Sequence, residues 1–228
     1  MLSPDISLHP GGTELTLDIA EKAGLKAGDR LLDIGCGTGS SLAALARRFG
    51  IVPFGADISE TALGIARRAV PNADLICADA AALPYPDRSF DAVLMECVVT
   101  LLEDPEAALS EAERVLKPGG KLLLSALTAE ASMPGCSGRI AAGGLLQPDA
   151  FRAFVTAHGF SVLSEEDRKK ELKSFVAESI FVYGSLEERI KSESSSVGAA
   201  ALDCGLEYDP KTTGYGSWIL LKQLEDVL

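Results

Sequence analysis

The sequence predicts an α/β fold, a doubly wound sheet of seven strands that is mostly parallel with an antiparallel C-terminal edge strand. Two observations carry the prediction. Short apolar runs alternate with amphipathic stretches of about ten to fifteen residues as far as Leu127, which is the beat of βαβ units. Beyond Leu127 the beat stops, and two further apolar runs follow without a simple crossover. That suits antiparallel pairing on a parallel sheet.

Taken in order, "LTLDIAEKAGL" has apolar residues at 15, 17, 19, 20 and 23, a helical spacing that Gly24 ends. "RLLDIG" reads as a buried strand and "SSLAALARRFG" as a helix closed by Gly50. "VPFGADI" is the second strand. Ser59 is an N-cap for "ETALGIARRAV", with Pro71 just past that helix. "ADLICADA" and "FDAVLMEC" are the third and fourth strands. "DPEAALSEAERVL" is a helix opened by Asp104 as cap and Pro105 at its first position. "KPGG" is a turn into the fifth strand, "KLLLSAL". The glycine-rich stretch from Thr128 to Gln147 reads as loop. "PDAFRAFVTAHGF" is a helix ended by Gly159, followed by the strand "FSVLS". Apolar residues at 172, 175, 176, 180, 183, 186 and 190 predict one long amphipathic helix over 166–191, able to cover a site or form a dimer interface. "KSESSSVG" reads as a surface linker, and "GYGSWILLKQ" as the closing strand.

Composition narrows the partners. Thirty-three acidic residues against 21 lysines and arginines give a net charge of −12, which repels nucleic acid and anionic membrane surfaces. No run is long enough to span a bilayer, and "MLSPDISLHPGG" lacks the pattern of a secretory signal. Five cysteines without a C-x-x-C pair, and only two histidines, make a zinc site improbable and favour the reducing cytoplasm. No metal is expected. A small-molecule partner is, in a monomer or homodimer.

Open parallel sheets bind ligands at the carboxyl ends of their strands. Here the first strand runs into "GCGTGS", whose glycines at 35, 37 and 39 let backbone approach a ligand at a helix start. A dinucleotide fingerprint needs glycine at position 40, where Ser40 stands. Asp33 would also repel a pyrophosphate and suits a cationic amine better. An NAD-dependent oxidoreductase is thereby disfavoured.

"LLDIGCGTG", "GADIS", "ADAAALPYPDRSFDAV" and "RVLKPGGKLLLS", in that order, resemble the class I S-adenosylmethionine-dependent methyltransferases, whose fold is Rossmann-like. The resemblance runs from about Leu15 to Phe160. It implies one methyltransferase domain over 1–228: an arm at 1–14, a cofactor-binding core at 15–127, and a substrate-side part at 128–228. It implies S-adenosylmethionine as cofactor. The loop Gly35, Cys36, Gly37 and Gly39 would then pass under the methionine moiety, and Asp33 would contact the amine. Asp57 would bind the ribose hydroxyls, while Asp79, Ala80 and Ile58 would surround the adenine. "HPGGTELT" would be either a lid over the cofactor or an ordinary arm.

The fourth strand ends in Glu96 and Cys97 at the tip where substrate-facing groups are expected. Glu96 would neutralise a positive cofactor or take a proton; capping a neighbouring loop is the simpler role. "ECVVTL" followed by "MPGCSGRIAAGGL" resembles arsenite methyltransferases, in which Cys97 and Cys136 would jointly hold a metalloid. "HPGG", "MEC" and "EDRKKELK" are similar to stretches of selenium-associated bacterial methyltransferases. Buried packing is the ordinary role of such thiols. The expected reaction is methyl transfer to a small molecule, a thiol-bound metalloid or an organic acceptor. A non-catalytic cofactor-binding protein is the alternative.

Overall fold

The computed structural model describes residues 9–129, 139–142, 144–192 and 209–224. Helix α1 (Gly12–Ala23) leads into β1 (Arg30–Ile34), α2 (Ser40–Phe49), β2 (Val52–Asp57), α3 (Glu60–Ala69) and β3 (Asp74–Cys77). Then come β4 (Phe90–Glu96), a short 3-10 turn at Val99–Leu101, α4 (Pro105–Val115) and β5 (Leu116–Ala129). Two-residue strands β6 (Ala141–Ala142) and β7 (Leu145–Leu146) precede α5 (Pro148–Ala157) and β8 (Phe160–Asp167). Helices α6 (Lys169–Tyr183) and α7 (Leu186–Ser192) and strand β9 (Thr213–Lys222) complete the order.

Strands β3, β2, β1, β4 and β5 lie side by side and parallel, so their C-terminal tips share one edge. Strand β9 runs antiparallel against β5 and against β8, and the β6–β7 pair touches β5 through Thr128. All seven expected strands form. The two short strands are additions from a stretch with too little apolar pattern to be read.

Alternation along the strands feeds two cores, as a pleated sheet covered on both faces requires. Leu32, Ile34, Val93 and Met95 face the layer of α4 and α5. Leu31, Ala92 and Leu94 face the layer of α1, α2, α3 and α6. The caps read from sequence are present: Ser59 accepts from the Ala62 amide, Asp104 from that of Ala107, and Gly24 and Gly50 end their helices in left-handed geometry.

Two elements differ from expectation. The single helix over 166–191 is divided: β8 extends to Asp167, and Gly184, at φ 87°, ends α6 before α7 begins. "KPGG" lies within β5 as an irregularity, where pairing jumps from Phe90–Leu116 to Ala92–Lys121. Among the described residues no helix is long and apolar enough to cross a membrane.

Candidate active site

The strand tips build the site. Asp33 pairs with Gly55 of β2 on one side and Leu94 of β4 on the other, so Glu96 rises two residues further along the neighbouring strand. After β1 the chain turns tightly into α2. The Gly35 and Cys36 amides both donate to the Ala56 carbonyl, at 2.7 and 3.2 Å, and the Gly39 amide donates to Cys36. Gly35, Gly37 and Gly39 all have positive φ, which side chains strain to adopt. A Cβ on Gly35 would stand 2.7 Å from Val98, the residue after the β4 tip.

Asp57 fastens this loop. One carboxylate oxygen accepts the Gly37 amide at 2.8 Å, and the other accepts the Ser59 amide at 2.8 Å. Asp79 accepts from the Ala81 amide at 2.9 Å, shaping the turn after β3. Between them opens a cavity of about 460 Å³ lined by Gly35, Asp57, Ile58, Asp79, Ala80, Glu96 and Cys97 among others. Ile58 is 73% exposed at its margin, a large apolar side chain with nothing covering it. Asp33, Cys36, Gly37 and Gly39, also expected at the cofactor, are not among the residues that line that cavity. The Cys36 side chain is buried near Gly55, and burial pushes its thiol well above the ordinary range.

Asp33 is 3% exposed and accepts no hydrogen bond from a described residue. Burial, then the nearby charges of Glu96 and Asp57, hold its carboxyl well above the usual range. Glu96 is better supplied with donors. Thr16 reaches its two oxygens at 2.9 and 3.0 Å, Ser41 donates at 2.7 Å, and His9 Nε2 lies 3.3 Å away. The "HPGG" arm thus reaches the tip of β4. Thr16 and Ser41 were not singled out from sequence; Ser41 carried a signal, being one of the two hydroxyls, with Ser40, that open α2 after the glycine loop.

Cys97 borders the same cavity, but its thiol is bonded toward β9. Its backbone is left-handed, φ 54°, and its amide donates to Ser125 at 2.8 Å. Its thiol donates to the Tyr215 hydroxyl at 3.6 Å, and Tyr215 donates to Ser125 at 3.0 Å. Burial, opposed by these hydrogen bonds, pushes the Cys97 thiol up to about 12. Cys136, its expected companion, lies outside the described residues, as does Cys204. His158 caps α5, its Nδ1 2.9 Å from the Phe154 carbonyl, and takes no part in the site.

A second cavity, of about 750 Å³, lies between α1 and α6 and is lined by His9, Asp18, Arg168, Phe175 and Arg189 among others. The His9–Glu96 contact stands between the two cavities. Helix α6 lines this second cavity. It is clamped to α1 through Arg168, whose guanidinium pairs with Asp18.

Residues 32–124 match a protein family described as a methyltransferase domain. Over 180 residues the chain is 29% identical to the methyltransferase GfsG of Streptomyces halstedii, covering 73% of this chain and 65% of that one. Over 107 residues it is 38% identical to a demethylmenaquinone methyltransferase of Renibacterium salmoninarum, covering 47% and 45%. The chain thus spans about half to two thirds of the length of these curated relatives. The crystal structure of the [4+2]-cyclase SpnF superposes with a TM-score of 0.71 at 28% identity, over 98% of this chain and 86% of that one.

Proposed function

We propose that this chain, which carries a class I S-adenosylmethionine-dependent methyltransferase domain, binds that cofactor at the β1–β4 tips and methylates a small organic molecule. The observation that carries the reading is the Asp33 carboxyl: buried, without a hydrogen-bond partner among the described residues, and beside two further acids. A buried carboxyl beside the charges of Glu96 and Asp57 suits an organic cation. Asp33 and the loop from Gly35 to Gly39 would hold an amino-acid moiety. Asp57 would keep its loop-fastening bonds and accept from ribose hydroxyls with its remaining lone pairs. Asp79, Ala80 and the uncovered Ile58 would take the adenine.

When bound, the cofactor supplies an electrophilic methyl group on a sulfonium. The chain then has to orient the acceptor and exclude water, and orientation of that kind contributes about 7–11 kcal/mol. The site is walled by the tip of β4 and the turn that ends at Leu101, while α1 lines the second cavity together with His9.

An organic acceptor fits better than a thiol-bound metalloid. Soft metal and metalloid ligation uses thiolates, whereas the half-buried Cys97 thiol is hydrogen-bonded to Tyr215 and pushed up to about 12 by desolvation. Cys36, Cys77 and Cys97 are free thiols, in keeping with a cytoplasmic enzyme. A second reading, a cofactor-binding protein of another activity, is favoured by one observation: the 28% identical protein that covers 98% of this chain is named a cyclase.

Calorimetry with S-adenosylmethionine and S-adenosylhomocysteine tests the reading. Micromolar binding that falls at least tenfold in Asp57→Ala supports it, and no binding of either ligand refutes it. Isotope-labelled methyl transfer to a panel of phenols, amines and arsenite then separates the acceptors. Cofactor bound without any transfer favours the second reading.

A further inference from the structure

Resting on that reading, we propose that Glu96 makes the site select the positively charged cofactor over its uncharged product, so that loss of charge on methyl transfer promotes product release. Glu96 and Asp57 line the same cavity, and Asp33 lies within reach of both charges. The Glu96 side chain is only 5% exposed. Its hydrogen bonds come from the hydroxyls of Thr16 and Ser41, which satisfy the oxygens without neutralising them. Among the described residues only His9, at 3.3 Å, forms an ion-pair contact with it, and that contact carries charge only when the imidazole is protonated.

A neutral glutamine could also accept from two hydroxyls, so the hydrogen bonds alone do not require an acid here. Keeping a carboxylate out of water is costly unless a positive charge meets it. Asp33 and the glycine loop already suit the amine, which cofactor and product share. The two ligands differ at sulfur. Transfer breaks the carbon–sulfur bond with its electron pair left on sulfur, the methyl carbon bonds to the acceptor's lone pair, and an O–H or N–H acceptor loses its proton. The ligand that must leave is one positive charge poorer. Where a bound ligand displaces water from the cavity, that difference is felt over several ångströms, because the screening of bulk water is reduced.

The test is calorimetric and needs no acceptor. S-Adenosylmethionine, S-adenosylhomocysteine and sinefungin, which carries an amine where the sulfonium stands, are titrated into the wild-type protein, Glu96→Gln and Glu96→Asp. Wild type should bind both cationic ligands about tenfold or more tighter than the thioether, a difference of about 1.4 kcal/mol. Glu96→Gln should lose that preference while its affinity for S-adenosylhomocysteine stays within about threefold, and Glu96→Asp should retain it. Equal weakening of all three ligands in Glu96→Gln would make Glu96 structural and overturn the proposal. A wild-type preference for the thioether overturns it without any variant. A wild-type protein that binds none of the three refutes the cofactor reading itself.

Discussion

The sulfur of Cys97 lies 3.6 Å from the hydroxyl of Tyr215, although 118 residues separate them in sequence. Tyr215 is 1% exposed and in turn donates to Ser125 on β5. The thiol at the β4 tip is thereby drawn toward β9. Because burial pushes it up to about 12, it stays protonated at neutral pH. Alkylation by iodoacetamide at pH 8, mapped by mass spectrometry, should therefore modify the exposed Cys77 well before Cys97. Tyr215→Phe removes a hydrogen bond that opposes this upward push, so it should slow Cys97 modification further. Rapid labelling of Cys97 in the wild type would restore the metalloid reading.

Asp33 gives a prediction of opposite sign for stability and for binding. Its folded carboxyl titrates well above the ordinary range, so the folded state holds this proton more tightly than the unfolded state does. The associated stability is present at acid pH and fades as pH rises through the folded value. Asp33→Asn removes that liability. It should stabilise the ligand-free protein by about 1 kcal/mol at neutral pH, as relieved functional sites commonly do. The same change should weaken cofactor binding by more than tenfold. Thermal melts with and without S-adenosylmethionine read both effects, and a variant that is both less stable and unchanged in affinity contradicts the assignment.

What the sequence disclosed, and what it withheld, divides along local and non-local physics. Ser59, Asp104, Gly24 and Gly50 act on backbone groups within four or five residues, so their roles were legible. The glycine loop was legible for the same reason. Glu166 and Asp167 read as the start of a helix because the run there is polar and lacks alternation. Yet they continue β8 and pair with Ser217 and Gly216 of β9, which supply the register. Thr16, Ser41 and Tyr215 are single polar residues inside apolar segments. Their partners lie on other elements, and only the folded sheet brings them together.

Gly37 separates loop geometry from packing. It has φ 52°, and a Cβ built on it meets nothing within 4 Å. A side chain there is strained by about 1–2 kcal/mol in the backbone but displaces no neighbour. Gly37→Val should therefore remain folded, with a modestly lower melting temperature, and lose cofactor binding by about a hundredfold. Gly55→Ala is the contrasting control: its Cβ would stand 2.7 Å from Leu75 and 2.8 Å from the Cys36 sulfur, so stability should fall first. Wild-type affinity in Gly37→Val would remove the loop from the cofactor site.

The clamp between α1 and α6 predicts how acid acts on the site. Arg168 joins Asp18, Glu166 and Glu171, and Lys22 binds both Asp18 and Glu166. Burial by itself would raise the Asp18 carboxyl, but hydrogen bonds from Lys22 and Arg168 outweigh it and hold the group below its ordinary value. Lys22, then Arg168, does the same for Glu166 against the opposing effect of burial. Groups depressed in this way contribute stability above their unfolded values, near pH 4, and lose it as pH falls through the lower folded values. Both acids are partly exposed, so solvent screening limits the contribution to about 1 kcal/mol. Asp18→Asn should cost about that much at pH 7 and should have almost no effect at pH 3. Because Thr16, two residues before Asp18, holds Glu96, loosening α1 should also reduce cofactor affinity more at pH 7 than simple charge loss at a distant surface site would. Melting curves of wild type and Asp18→Asn across that range, paired with calorimetry at pH 7, measure both. A constant difference in stability from pH 7 to pH 3 would show that the clamp acts through packing and not through charge.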